Sequence, residues 1–256
     1  LLAKRGLDTG QGAGAVTTII CAGSSLPPAI AELARRWAPQ ARTQHYYGAS
    51  ELGFVAASTG GQIGDSTAVG RAFPGVEIAI LDETGRSVAA EEMGSIYVRS
   101  RLVSDGYAWG DDGLAFGALP GTDWRTVHDQ GFLDTTGVLH VVGRASDMIV
   151  TAGANVYPQL VERQLEGSSE AGTVVVTGIG DLQRGQRVVA GLLPGCLSAP
   201  DFLAECRARA SLLPAAARPS QYFALTEAPV TGGGKVSRAQ LRKWITEGDA
   251  RVRRIF

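Results

Sequence analysis

A lysine behind three glycines, in TGGGKVSR at 231–238, can carry one ammonium into a site on a pliable backbone. Lys235 would there offset negative charge as it develops, an electrostatic catalytic role. The spacing is not that of a GxxxxGK[ST] phosphate loop, because Val236 follows the lysine. Read alone, the segment fits an exposed loop with a solvated lysine better. A second segment, YYGASELG at 46–53, gathers an aromatic, a glycine, a hydroxyl and a carboxylate. Tyr47 can stack on a base, Ser50 can bond a phosphate oxygen, and Glu51 can hold Mg²⁺, which prefers carboxylate oxygen. The plain alternative is a strand-to-helix turn with ordinary capping. A hydrolase elbow is excluded, since GxSxG needs glycine where Leu52 stands.

In HDQGFLD at 128–134, Asp129 can bind a diol through both carboxylate oxygens, or simply close an Asx turn. In VGRASDMIVTAGANVYP at 142–158, Arg144 can reach phosphate or ribose oxygens, or pair with Asp147 at the surface. Gly153 lets a thin ligand pass close to the backbone, or marks a plain turn.

These residues need elements to hold them. Residues 16–21 read as a short buried strand and 28–37 as a helix with apolar residues at helical spacing. VEIAILD and GSIYVRS read as strands separated by turns, a succession that predicts an antiparallel, barrel-like subdomain. Residues 105–125, rich in Gly, Asp and Trp, read as a loop, and 128–144 as a hairpin. Beyond Arg144 come a strand with its glycine loop, a helix over QLVERQLEG, strands at TVVVTGI and RVVAGLLP, a helix over PDFLAECRARASLL, a strand at QYFAL and a closing helix at SRAQLRKWI. The expected fold is mixed α/β, with a domain boundary at 144–147.

With 256 residues, 45% hydrophobic and 19% charged, the composition is that of a soluble globular chain, in one large domain or two modest ones. A net charge of -1 gives no reason to expect a nucleic-acid or membrane-surface partner. No apolar run reaches the length of a membrane span. Cys21, Cys196 and Cys206 form no CxxC pair, and His45, His128 and His140 do not cluster with them. Neither a zinc site nor a disulfide framework is expected, and the cytoplasm is the default compartment.

Taken in order, YGxSE, VGRxxPGVExxIxD, GxIxVxSxxVxxGY, HDxGFLD, GRxxDMI, TAGANVYPxxVE and GGGKxxR resemble the signature set of the adenylate-forming superfamily. Its members include acyl-CoA synthetases, peptide-synthetase adenylation domains and luciferases. The resemblance runs from about residue 16 to about 246. It implies ATP-dependent activation of a carboxylic acid as acyl-AMP, then transfer to a thiol, CoA or alternatively a carrier protein. It also implies that 1–144 is the end of a large domain and 145–256 a small mobile lid. By the matched motifs, Gly23, Ser24 and Ser25 line the adenine and acyl pockets. Tyr47 packs on adenine, Ser50 replaces the usual threonine, and Glu51 holds Mg²⁺. Asp129 grips the ribose hydroxyls and Arg144 contacts ribose and phosphate. Lys235 drives adenylation, Gly153 lies beside the pantetheine tunnel, and Ser146 sits at the hinge, where Asp or Lys is usual.

Several residues depart from the pattern. His45 stands where Asn or Asp often faces the adenine amine. Leu160 replaces a common glutamate, although Glu162 remains, which bears on a structural ion pair. His128 replaces a common glycine, and that change reads as harmless. No segment resembles the upstream STGTTGxPK-type phosphate loop; an upstream half is therefore expected, with a truncated, non-catalytic module as the rival reading. The apolar run LGFVAA after Glu51 suits an aliphatic or aromatic acid.

Overall fold

The β-branched run at the start becomes strand β1 (Thr18–Cys21), not buried as expected but with Ile20 63% exposed, and the alanine-rich segment behind it becomes helix α2 (Pro28–Trp37), preceded by α1 (Leu2–Asp8). Proline opens α2, where its missing N–H costs nothing. Ala31 and Ala34, with Ala38 just beyond, repeat at helical spacing and are buried. The helix returns the chain to β2 (Arg42–Ala49), which pairs parallel with β1 from Thr18↔Arg42 to Cys21↔His45. The computed structural model describes residues 2–23, 28–59, 67–110, 115–167, 174–194, 201–232 and 235–256. The chain divides into two compact units, Leu1–Ala145 and Ser146–Phe256.

The first unit continues through β3 (Gly53–Thr59), β4 (Ala68–Ala72), β5 (Glu77–Leu81), β6 (Gly94–Arg99), β7 (Gly117–Ala118), β8 (Arg125–Thr126), β9 (Asp129–Leu133) and β10 (Leu139–Arg144). Among the described residues the sheet runs β1-β2-β3-β4-β10-β9-β6-β8-β7, with β5 beside β6. Beyond the β1–β2 pair its ladders are antiparallel. Strand β6 shows why: Gly94, Ile96 and Val98 are buried and alternate with half-buried Ser95 and Tyr97. Leu52, Val55, Ile80, Ile96, Val98 and Leu139 form the core under the sheet. The stretch at 105–125, expected to be loop throughout, contains the short β7–β8 ladder, Gly117↔Thr126 and Ala118↔Arg125.

The second unit holds β11 (Ile149–Thr151), β12 (Ala154–Val156), α3 (Pro158–Glu166), β13 (Val174–Asp181), β14 (Gly185–Leu192), α4 (Phe202–Ala210), β15 (Gln221–Leu225), α5 (Arg238–Glu247) and β16 (Val252–Arg254). Its sheet runs β12-β11-β14-β15-β16, with β13 on β14. The valine run of β13 is buried on both faces although, among the described residues, β13 pairs with β14 alone, because helices cover it from both sides. Val174 and Val176 join a cluster with Val161 and Leu165 of α3 and Phe202 and Cys206 of α4. Val175 points the other way, into a cluster with Val189, Phe223, Leu225 and Leu241 of α5. Full burial of each such side chain contributes roughly 1.5–3 kcal/mol.

Candidate active site

Asp129 opens β9 and is 8% exposed. Both of its oxygens are engaged: Tyr47 Oη donates to Oδ2 at 2.6 Å, and Arg144 Nε lies 3.3 Å from Oδ1. Strand register makes this arrangement. Arg144 is the partner of Asp129 across the β9–β10 ladder, which shifts register between Val141 and Gly143. That bulge brings the guanidinium opposite the carboxylate. Burial raises the Asp129 pKa above its ordinary value, although the Tyr47 hydrogen bond and the Arg144 charge pull against it. Burial, reinforced by the Asp129 charge, lifts the Tyr47 phenol well above its usual value, so it stays a donor. Asp129 is thus no Asx-turn residue. Nor does Arg144 pair with Asp147, whose Oδ2 instead accepts from Arg238 at 3.1 Å.

Tyr47, Ser50 and Glu51 belong to one hairpin, not to a strand-to-helix turn. Strands β2 and β3 close on the pair Ala49↔Gly53, and Gly53 has φ 70°, a left-handed conformation suited to glycine. Leu52 is fully buried and anchors the turn. Ser50 is exposed and Glu51 half-buried at its tip. Gly48 is needed for closeness: a Cβ there would lie 2.3 Å from the Gly53 carbonyl oxygen. The Glu51 carbonyl accepts from Ser104 N at 2.8 Å, and its carboxylate accepts a short hydrogen bond from Tyr107. The described residues contain no group of three or more His, Cys, Asp or Glu able to hold a metal. A single carboxylate suits Mg²⁺, which takes one or two carboxylates and completes its shell with water and substrate phosphates. Gly23 has φ 85° with open space around it, while Ser24 and Ser25 lie outside the described residues. His45 is buried, and its backbone exchanges two hydrogen bonds with the Ser58 hydroxyl, each 3.2 Å.

In the second unit Lys235 is exposed at the base of a loop. Thr231 N donates to the Lys235 carbonyl at 2.8 Å, Ser237 N donates to the Pro229 carbonyl at 2.7 Å, and Val230 bridges Val236. These bonds tie the two arms of the loop, 229–231 and 235–237, to each other; residues 233–234 lie outside the described residues. Gly153 sits with Ala152 between Thr151 and Ala154, the last pair of the β11–β12 ladder. Both turn residues have positive φ, 50° and 81°, as a two-residue I′ hairpin requires. Among the described residues a Cβ on Gly153 would meet nothing within 4 Å. Ser146 is exposed in a 3₁₀ turn, Ala145–Asp147, at the boundary between the units.

A profile of the family described as "AMP-binding enzyme" matches residues 2–108. An uncharacterized acyl–CoA ligase of Bacillus subtilis (strain 168), YhfT, is 32% identical over 231 residues, covering 90% of this chain and 46% of that protein. The amide bond synthetase McbA from Marinactinospora thermotolerans superposes with a TM-score of 0.83 at 27% identity, over 95% of this chain and 49% of that one. The chain belongs to the adenylate-forming superfamily. A probable nonribosomal peptide synthetase of Salinispora arenicola (strain CNS-205), CymA, is 30% identical over 234 residues, 88% of this chain and 3% of that protein. The chain spans about half the length of the acyl–CoA ligase it matches.

Within that superfamily pattern, two departures gain a physical meaning. His128 has φ 62°, the region that glycine occupies freely. A side chain there costs roughly 1–2 kcal/mol, so the change from glycine is not harmless to the backbone. It is held by two bonds, His128 N to Thr126 Oγ1 at 2.9 Å and Ala145 N to the His128 carbonyl at 2.9 Å. The ion pair around Glu162 is intact without a carboxylate at Leu160, which is partly exposed: Arg238 grips Glu162 through Nε at 3.1 Å and Nη2 at 2.5 Å. Two residues of the site were not singled out from the sequence. Tyr107 closes the GY of the third motif and Arg238 closes GGGKxxR, so both lay in motifs whose side-chain contacts a linear reading does not reveal.

Proposed function

We propose that the protein bearing this chain joins a carboxylic acid to AMP from ATP and then passes the acyl group to the thiol of CoA. The observation that carries this reading is Asp129, a buried carboxylate held between a phenol from β2 and a guanidinium from β10. Each carboxylate oxygen keeps a second lone pair, so the pair of oxygens can still accept both hydroxyls of a ribose. Arg144, 61% exposed along its side chain, is free to extend toward a phosphate while its backbone stays in register. Glu51 would hold Mg²⁺, which when bound neutralises phosphate charge.

In the first step a substrate carboxylate oxygen attacks the α-phosphorus and the bond to the β-phosphate oxygen breaks, releasing pyrophosphate. Negative charge gathers at the α-phosphate in the transition state, and Lys235 supplies the fixed cation there. In the second step the thiolate attacks the acyl carbonyl, AMP leaves, and the thiol proton passes to solvent. The second unit is the mobile lid: it presents Lys235 for adenylation and the Gly153 face for thioester formation, turning about Ser146. Within the apolar run after Glu51, Leu52, Val55 and Ala56 are core residues, and Phe54, 52% exposed, is the residue whose ring supports an alkyl or aryl acid. A phosphate loop must complete the site, and the full-length protein is the form to assay.

The acceptor distinguishes the competing readings. Similarity to CymA favours a carrier-protein thiol, and similarity to McbA favours an amine. Product analysis with decanoate or phenylacetate, ATP and Mg²⁺, offering CoA, a phosphopantetheinylated carrier or an alkylamine, decides among them. Acyl-CoA is the expected product. Acyl-carrier or amide alone would replace the acceptor, and absence of any acyl-AMP would leave a non-catalytic nucleotide-binding module.

A further inference from the structure

Three residues after Lys235, Arg238 is the first residue of α5, with its side chain only 13% exposed. It holds two carboxylates at once. Glu162 of α3 takes the two-pronged bond already described, and Asp147 Oδ2 accepts from Nη1 at 3.1 Å. Glu162 is itself fixed, since its Oε1 accepts from Val176 N of β13 at 2.8 Å. Asp147 is different: it is the more exposed partner, 28% against 14%, and it ends the 3₁₀ turn next to Ser146. Burial works against the charge on Arg238, but Glu162 and Asp147 outweigh it and keep the guanidinium above its ordinary pKa. The path from Arg238 back to Lys235 is short and bonded: Ser237 caps α5 through Gln240 N at 3.1 Å, and the same residue ties the Lys235 loop to Pro229.

We propose that Arg238 is a positioning residue for adenylation, anchored by Glu162 and linked through Asp147 to the turn that joins the two units. The inference rests on the adenylating role given to Lys235. In it, Glu162 fixes where α5 begins, and the Asp147 arm makes the placement of the Lys235 loop depend on the conformation of the turn at 145–147. A bidentate guanidinium suits this task, because its fork fixes orientation as well as distance.

The test uses the full-length protein and Asp147→Asn, which keeps the size of the side chain and removes its charge. Amide hydrogen exchange over 229–237 is expected to accelerate while exchange over β13 and β14 stays as in the wild type. Pyrophosphate–ATP exchange with decanoate is expected to fall about tenfold or more, a loss typical of a misplaced catalytic group. Thioester formation from supplied decanoyl-AMP is expected to stay within about twofold. Glu162→Gln serves as the structural contrast, lowering Tm and both half-reactions together. Unchanged exchange over 229–237, or equal loss of both half-reactions in Asp147→Asn, would overturn the proposal. A wild type that makes no acyl-adenylate from any acid would instead remove the parent reading, leaving the exchange result to judge the link alone.

Discussion

The two units place their chemistry in opposite ways. In the first, Asp129 is 8% exposed and its two oxygens are already bonded by side chains from β2 and β10. In the second, Lys235 stands exposed on a loop whose two arms are tied to each other and whose neighbouring arginine is clamped by two carboxylates. The tasks proposed for them account for the difference. A group that recognises a ground-state sugar gains from being ordered before the ligand arrives, because the ordering entropy is spent in folding. A cation that serves one step of two must arrive and withdraw, so it stays in water and only its base is rigid. On this proposal strand register does the first job, and a loop tied to a buried arginine does the second.

The contrast can be broken most severely at Lys235. Lys235→Ala should lower pyrophosphate–ATP exchange by about 10²–10³-fold, the usual cost of removing a preorganised electrostatic contact. Thioester formation from supplied acyl-AMP should survive, and equal loss of both half-reactions would end the role given to the lysine.

Glu166 sharpens the comparison, because it is a half-buried carboxylate whose side chain has a backbone N–H where Asp129 has an arginine. Its Oε1 accepts from Val174 N at 2.9 Å, and burial raises its pKa from 4.5 to about 7, the nearby Glu162 charge adding to the rise. The folded state therefore holds this proton more tightly than the unfolded chain does. The stabilisation is complete below pH 4.5 and is lost as pH climbs to about 7. Glu166→Gln, which mimics the protonated acid, should match the wild type near pH 4.5 and exceed it at pH 8 by up to about 3 kcal/mol. Melting curves at the two pH values check this, and a difference independent of pH would contradict it.

Smaller effects belong to the residues around Asp129. Tyr47→Phe removes one donor from a buried carboxylate and should raise KM for ATP by about tenfold while leaving kcat nearly unchanged. Steady-state kinetics at saturating acid read it, and a fall in kcat alone would argue that Tyr47 acts elsewhere. His128→Gly relieves the left-handed strain but frees the unfolded chain, so a net gain of at most about 1 kcal/mol is expected. A lower Tm would mean that the imidazole, which packs where a Cβ on Gly117 would lie 3.0 Å from it, contributes more than its backbone costs.

Much of this was legible in the sequence because single residues carry it. Glycine-punctuated motifs and a two-face valine strand announce themselves locally, and β1, α2, β13, β14 and β15 fall where periodicity puts them. Strands β3 and β4 were not read. β3 follows directly on a turn, and β4 contains Gly70, which resembles a breaker. Gly70 is there because a Cβ would lie 1.9 Å from the Ala57 carbonyl oxygen across the β3–β4 ladder. Long-range pairing hid the rest. Tyr47 and Asp129 are 82 residues apart, and Arg238 and Asp147 are 91 apart. Nothing local says that Arg144 turns to Asp129 instead of Asp147; the bulge before Gly143 decides it.

The most direct measurement compares ATP with 2′,3′-dideoxy-ATP in the full-length protein, wild type and Asp129→Ala, by binding in the absence of acid. The account predicts that the wild type favours ATP by one to two orders of magnitude, as expected when a site built for hydroxyls is left unpaired, and that the variant loses this preference. A wild type indifferent to the missing hydroxyls, or a variant that keeps the full preference, would contradict the assignment of Asp129 to the ribose.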